Sequence, residues 1–388
     1  MNRRKKLLYI MGIDWNWIYQ RPQILAEKLS RDYDVTVLFP RSILRLARLP
    51  RPKVPGIAFR ILRTLPLQEK NFIIGFFSRC MNAAVLRGTE EFDLIYIGYP
   101  VYARYVPFGF RGKVIYDCMD NHELLYPDRK RVEKVLKQEK RLIQSCNLLL
   151  VSSLWLKEKA DMLAGRKKSI LVRNAPGIET FYPPKDSGKK DHYILCYIGT
   201  IAEWFDYGLL AYSLKSCSNI EYRLIGPCQN RKEMSGISFS GVLSHEELGT
   251  AAREMDCLIM PFVLTPLVEA VDPVKLYEYI ALGKCIVSVY YPEIERFKEF
   301  VYFYRTKEEY VFLLKNLSDQ GFVPKYDRKM QEEFLAENTW EKRYQTLQEQ
   351  IDALEEQIES EKSESHKHIR DKAGSHKNVS SDQRTGTA

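Results

Sequence analysis

Hydrophobic positions in this chain cluster in short runs set between longer, helically periodic stretches. The runs "LLYIMG", "DVTVLF", "DLIYIG", "KVIYD", "NLLLVS" and "SILV" fall in the first half, and "YILCYIG", "IEYRLIG", "GISFSG", "CLIMPF", "CIVSVY" and "FVYFY" in the second. Each is a few residues long, apolar nearly throughout and bounded by polar or turn residues, as expected for strands covered on both faces. Between them, "RPQILAEKLSRDY" and "RVEKVLKQEKRLIQSC" carry the apolar spacing of helices. Strands alternating with helices predict parallel sheets in an α/β architecture. Two such series, in 388 residues, predict two Rossmann-like domains.

The segment "RNAPGIETFYPPKDSGKKDHY" is rich in Pro, Gly and charge and has no periodicity, and reads as a linker. The expected organisation is therefore a first domain over 1–172, a linker over 173–192, a second domain over 193–338, a helix over 339–361 and a disordered tail over 362–388. The stretch "LQEQIDALEEQIES" places apolar residues at 347, 351, 354 and 358, a short heptad-like seam. The tail holds little to bury, so His366, His368 and His376 lack the frame a metal site needs.

Apolar residues make up 45% of the chain and aromatics 12%, enough for two cores. The net charge of +9 is uneven: no acidic residue falls between Asp34 and Glu69, where Arg41, Arg45, Arg48, Arg51, Lys53, Arg60 and Arg63 alternate with Leu, Ile and Phe. That mixture fits either a solvated surface or a peripheral contact with an anionic membrane. Eight cysteines show no metal-ligand spacing, and Cys118, Cys146, Cys196, Cys257 and Cys285 sit in apolar runs as small hydrophobes. A reduced, cytoplasmic location is expected. The basic start "MNRRKKLLYIMGIDW" has too short an apolar run for a secretory signal, and no stretch is long enough to span a bilayer.

In open α/β sheets ligands bind beyond the carboxyl ends of the strands. Gly12, Asp14 and Arg21 follow the first strand. Arg21 there is either a ligand for phosphate or acceptor or a partner in an ordinary salt bridge. Trp15 and Trp17 are candidates for sugar stacking or for core packing. Asp117 ends the run "KVIYD", and Asp120 and His122 follow it. Asp120 or His122 would orient or deprotonate an acceptor hydroxyl, or Asp120 would simply cap the next helix.

In "VDPVKLYEYIALGKCIV", Asp272 is a candidate N-cap, Pro273 a first helical residue and Gly283 a C′ residue. Leu276, Tyr277, Ile280 and Ala281 should face the sheet, and Lys275, Glu278, Tyr279 and Leu282 the other side. The helix N-terminus attracts phosphate, Lys275 adds charge, and Glu278 can accept from a ribose diol. The same two charges would also fit a surface i,i+3 pair.

"ISFSGVLSHEELGTAAREMDCLIMPF", followed by this helix, resembles the second half of GT-B glycosyltransferases of the family 4 type. "RNAPGIETFYP", "YIGTIAEWFDYGLL" and "IEYRLIGP" extend the likeness upstream. With "MGIDWNWIYQRPQILAEKL" and "VIYDCMDNHELL", the chain is most similar to the branch acting in teichuronic acid biosynthesis, over residues 5–340. The resemblance implies a GT-B fold, two Rossmann-like domains facing across a cleft. It also implies transfer of a sugar, with retention, from a nucleoside-diphosphate donor, most often UDP-linked, to a glycan or lipid-linked acceptor in cell-surface polysaccharide synthesis. It implies donor contacts at Gly199, Leu243, His245, Pro273, Val274, Lys275 and Glu278, catalysis near Asp120 and His122, and no metal or other cofactor. No nucleic-acid partner is expected. The family's E-x7-E pair is half present: Glu278 matches the second position, Ala270 occupies the first, and Glu269 is one residue out of register. No Arg or Lys lies between Gly199 and Gly208, which leaves the diphosphate to Lys275 and the helix amides, with Arg173 or Arg223 behind them. A sugar-nucleotide epimerase of the same fold and a catalytically silent assembly partner are the alternatives.

Overall fold

The computed structural model describes residues 3–46, 48–68, 71–124, 128–177, 182–243 and 245–356, except for the side chains of 245, 246, 249, 252 and 253. The expected tail over 362–388, its histidines and the last seam position, 358, lie outside these residues. The chain divides into two compact units, 1–344 and 345–388. Of the second, residues 345–356 are helical.

The first unit contains two parallel sheets. In chain order the elements are β1 (Lys6–Ile10), α1 (Arg21–Leu29), β2 (Asp34–Ser42), β3 (Ile57–Thr64), α2 (Phe72–Asn82), β4 (Leu94–Ile97), β5 (Lys113–Cys118), α3 (Arg129–Ser145), β6 (Leu148–Val151), α4 (Leu154–Ala164) and β7 (Ser169–Leu171). They continue with β8 (Tyr193–Ile198), α5 (Tyr207–Ser216), β9 (Ile220–Ile225), β10 (Ile237–Gly241), α6 (His245–Glu254), β11 (Cys257–Met260), α7 (Pro266–Glu269), α8 (Val274–Ala281), β12 (Cys285–Val289), β13 (Tyr302–Tyr304), α9 (Lys307–Gln320) and α10 (Arg328–Glu337). The sheet orders are β3-β2-β1-β4-β5-β6-β7 and β10-β9-β8-β11-β12-β13. Both are doubly wound, as the alternation predicts. Each reverses direction once, between β1 and β4 and between β8 and β11, and those switch points open the crevices where ligands bind.

All twelve expected runs form strands, and the central ones, such as Leu7–Ile10 and Cys257–Met260, are fully buried. One strand was hidden by charge. Residues 57–64, read as part of a basic surface segment, form β3, which pairs with β2 from Val35↔Ile57 to Ser42↔Thr64. It is the sheet's edge, where charged side chains discourage further pairing. Arg60 donates to the carbonyls of Val85 (3.2 Å) and Arg87 (3.0 Å) and lies over the Phe92 ring.

Arg41 corrects the membrane reading at its first residue. It is 2% exposed and forks onto Asp14, Nε to Oδ2 at 2.8 Å and Nη2 to Oδ1 at 2.9 Å, so neither charge is available to a membrane or a ligand. Trp15 packs edge-on against Phe59, while Trp17 is exposed. Cys118, Cys146, Cys196, Cys257 and Cys285 are buried free thiols, packed as hydrophobes. Among the described residues no helix is long and apolar enough to cross a membrane.

Residues 340–344 return to the first sheet's layer. Glu341 accepts from Lys28 (2.8 Å) and Arg31 (2.8 Å) on and beside α1, and Arg343 donates to the Asn174 carbonyl (3.1 Å). These contacts hold both sheets in one body.

Candidate active site

A cavity of about 520 Å³ opens at the carboxyl ends of both sheets. The first sheet contributes Gly12 and Ile13 after β1, Gly98 and Tyr99 after β4, and Met119, Asp120 and His122 after β5. Opposite stand Phe262, which follows β11, and Val271–Lys275 leading into α8. The expected residues Gly12, Arg21, Asp120, His122, Pro273, Val274 and Lys275 therefore meet on one wall or another. Tyr99, Tyr102, Arg131, Asn174 and Phe262 join them, unforeseen from the sequence.

The start of α8 departs from its sequence reading. Pro273 is the N-cap, in extended conformation, and makes no side-chain cap. Asp272 does not cap the helix because its carboxylate is the hub of a buried network. It accepts from the Asn174 amide (2.7 Å), the Tyr277 hydroxyl (3.1 Å) and the Arg296 guanidinium, with Arg173 3.6 Å away. Tyr279 is also buried, its hydroxyl accepting from the Ile198 amide (3.0 Å), and Leu282 is 6% exposed, so both leave the polar face assigned to them. Gly283 takes the C′ position as expected, with φ +66°. What remains partly exposed on α8 is Val274, Lys275 and Glu278.

Lys275 reaches back over the turn after β8. Its Nζ stands 5.7 Å from the centre of the Tyr197 ring and 6.0 Å from that of Phe262. Gly199 has φ +140°, and a Cβ there would lie 2.3 Å from Lys275 Cε, so only glycine admits this stem. Among the described residues Lys275 has no carboxylate partner. It stems from the first turn of α8, where the helix-end amides and dipole also favour an anion. Glu278 lies one turn on, outside the cavity wall. A Cβ at Gly177 of the linker would sit 3.2 Å from its Oε1. Ala270, at the first position of the half-present pair, is buried.

Three expected phosphate ligands are committed elsewhere. Arg21 forks onto Asp117 at 2.9 and 2.8 Å and donates to the Val172 and Arg173 carbonyls at 2.8 and 3.2 Å. Burial works against its charge, but Asp117 outweighs that and holds its pKa above the ordinary value. Arg173 pairs with Glu293, and Arg223 with Glu254 at 2.7 Å. Asp14 is bound to Arg41, as described. Leu243 packs at the edge of the second core, half-buried. His245 begins α6, and its side chain lies outside the described residues.

Across the cavity, His122 is buried and stacks edge-on to Tyr99, ring centres 5.4 Å apart. Burial, with Lys159 nearby, lowers its pKa to about 4, so the imidazole is neutral at neutral pH. Among the described residues neither ring nitrogen has a hydrogen-bond partner, and Nε2 lies 3.8 Å from Glu139 Oε1. Asp120 does not cap the following helix, since Asp128 caps α3. It reaches solvent through the cavity mouth, yet desolvation by surrounding protein and the charge of Asp117 raise its carboxyl pKa, against the pull of Arg21.

No family model matches the chain. Among curated proteins it is similar to "Putative teichuronic acid biosynthesis glycosyltransferase TuaH" of Bacillus subtilis strain 168, with 27% identity over 217 residues, 50% of this chain and 54% of that protein. The chain thus matches about half the length of this curated relative. Among solved structures, Anabaena HepE in complex with UDP and glucose superposes with TM-score 0.64 and 13% identity, covering 90% of this chain and 99% of that one. The fold is GT-B. A Burkholderia vietnamiensis α,α-trehalose-phosphate synthase (UDP-forming) shares this GT-B fold with TM-score 0.61 and 10% identity, covering 91% and 98% of the two chains.

The signal for Tyr99 was present in the sequence: Gly98-Tyr99 ends a strand, and strand order puts that end beside Gly12. Arg131 carried none. It is one of several cations on α3, singled out only by which face turns to the cleft.

Proposed function

We propose that the protein is a glycosyltransferase that moves a sugar from a UDP-linked donor to a glycan or lipid-linked acceptor in cell-surface polysaccharide synthesis, working on the cytoplasmic side of a membrane. The observation that carries this reading is the single cavity in which the α8 N-terminus and Lys275 face Asp120 and His122 across two switch points. Similar proteins support it: TuaH is named a putative teichuronic acid biosynthesis glycosyltransferase, and HepE was solved with UDP and glucose.

In this reading the donor diphosphate lies against the amides of Val274 and Lys275 and the Lys275 ammonium. These groups are fixed before reaction and stabilise the charge that grows on the departing UDP, without requiring a metal. Glu278 accepts from the ribose hydroxyls. The acceptor hydroxyl attacks the anomeric carbon as the bond to the β-phosphate oxygen breaks, on the same face, which retains configuration. Its proton leaves with the diphosphate. Neutral His122 and Asp120 hydrogen-bond to the reacting hydroxyls and orient them.

Calorimetric titration with UDP, GDP and their sugars tests this. UDP should bind, and Lys275→Ala and Glu278→Ala should each weaken it at least about tenfold, the loss of one charged hydrogen bond worth roughly 1.5–3 kcal/mol. No nucleotide binding would overturn the reading. Conversion of the donor without acceptor would replace it with epimerisation.

A further inference from the structure

Helix α2 is built inside out. Its inward face is small and polar: Ser78 Oγ donates to Gln68 Oε1 (2.7 Å), and Asn82 donates to the Arg63 carbonyl (2.9 Å) while accepting from the Arg63 amide (2.9 Å). Ser78 is 7% exposed and Asn82 2%. Gly75 meets the Gln68 backbone so closely that a Cβ would stand 2.7 Å from its carbonyl oxygen. The outward face carries Phe72, Ile73, Phe76 and Phe77, which are 80%, 63%, 51% and 62% exposed. A surface helix in water normally turns its apolar stripe inward. Here four large apolar groups on a single 11-residue helix point into solvent.

The surroundings are cationic. Arg63, beside α2, is exposed, as are Arg45, Arg48, Arg51 and Lys53 between β2 and β3. Arg79 lies over the Phe72 ring at 5.9 Å. No Asp or Glu falls between Asp34 and Glu69. The Ser42↔Thr64 register brings the turn after β2 and the loop after β3 to the same end of the sheet, and each carries an exposed leucine, Leu44 and Leu67.

We infer that α2 and this cationic rim form an interfacial anchor that seats the first domain on an anionic lipid surface. Aromatic and aliphatic side chains on one face beside a rim of exposed arginines and lysine are the composition of a helix lying at a lipid interface. A second copy of the chain fits poorly, because a two-fold contact would oppose the same cations. A second cavity, about 630 Å³, runs from Thr64, Leu65, Leu67 and Gln68 on the α2 side to Asp128, Lys130 and Lys134 at the start of α3, and shares Tyr102 and Arg131 with the first. Three cations against one carboxylate leave that path net positive, and a phosphate-bearing lipid head group held at the surface would enter the cleft along it. Surface docking is expected from the sequence along Arg41 to Arg63; the anchor keeps the exposed cations of that segment, loses the buried Arg41 and adds the apolar face of α2, and its reason rests on the transferase reading.

Flotation with vesicles measures it without turnover. The full chain should float with vesicles of phosphatidylcholine and phosphatidylglycerol at about a two-to-one ratio and stay down with phosphatidylcholine alone. About 1 M salt should weaken the partitioning several-fold. The triple variant Phe72→Ser, Phe76→Ser, Phe77→Ser should weaken it by at least about a hundredfold, since each ring loses its burial in the interface. UDP affinity by calorimetry should stay unchanged in that variant, which shows that it folds and keeps the two proposals separable. Equal flotation of the variant, no flotation of the wild type with either vesicle, or a wild-type dimer that the variant dissociates would each overturn the inference.

Discussion

Removing Arg21 should damage the fold before it touches ligand binding. Arg21 and Asp117 are 5% and 0% exposed and joined by two short bonds, and the Tyr96 hydroxyl donates to Asp117 as well (2.8 Å). Arg21→Ala leaves that carboxylate in the core with one hydroxyl partner. Breaking a buried pair from one side costs about 3–5 kcal/mol. The carbonyls of Val172 and Arg173 also lose a donor, adding roughly 1–3 kcal/mol if water cannot replace it. Against a total stability of about 5–15 kcal/mol, the variant should unfold at a urea midpoint lower by about 1 M or more. The double variant Arg21→Met, Asp117→Leu removes both charges and should recover most of the loss, because an apolar pair of similar volume needs no partner. Equilibrium unfolding followed by tryptophan fluorescence gives both numbers. If Arg21→Ala loses less than about 1 kcal/mol while UDP affinity falls tenfold, Arg21 is a ligand-binding residue and the structural argument fails.

His122 should make the protein acid-sensitive in a defined window. Its folded pKa of about 4 lies below the unfolded value, so its contribution is complete above about pH 6.5 and is lost as pH falls through about 4. That amounts to about 3 kcal/mol, and the stability difference between about pH 7 and pH 4 should shrink by this much in His122→Gln; an equal loss in both proteins would exclude it. Gly199→Ala forces a Cβ against Lys275 Cε at φ +140°. It should cost about 1–3 kcal/mol of stability and, by displacing the ammonium, weaken UDP binding about tenfold. Unchanged affinity would separate Lys275 from the diphosphate.

The fold was legible because its signal is local. Each central strand is an apolar run of the right length, and only β3 escaped, its Arg60 and Arg63 breaking the run that Ile57, Phe59, Ile61 and Leu62 begin. The ligation of charges was not legible, since a charged residue's partner is chosen in three dimensions. Arg21 finds Asp117 96 residues away, Arg41 finds Asp14 27 residues away, and Arg296 finds Asp272 24 residues away. Arg21, Asp14, Asp117 and Asp272 were sound candidates by position, and each proves to be fixed to another charge within the protein. The same sorting sharpens the site. Once Arg21, Arg173 and Arg223 are assigned to partners, the cation left at the helix end among the described residues is Lys275, held between two aromatic rings above a turn that admits only glycine. A stem so confined has already lost much of its rotamer freedom, so binding a diphosphate there sacrifices less entropy than a mobile surface lysine would. Charge pairing elsewhere in the cleft, and crowding at Gly199, thus act on the same quantity: among the described residues they leave the Lys275 ammonium positioned at the helix end, where the proposed donor's charge would be met.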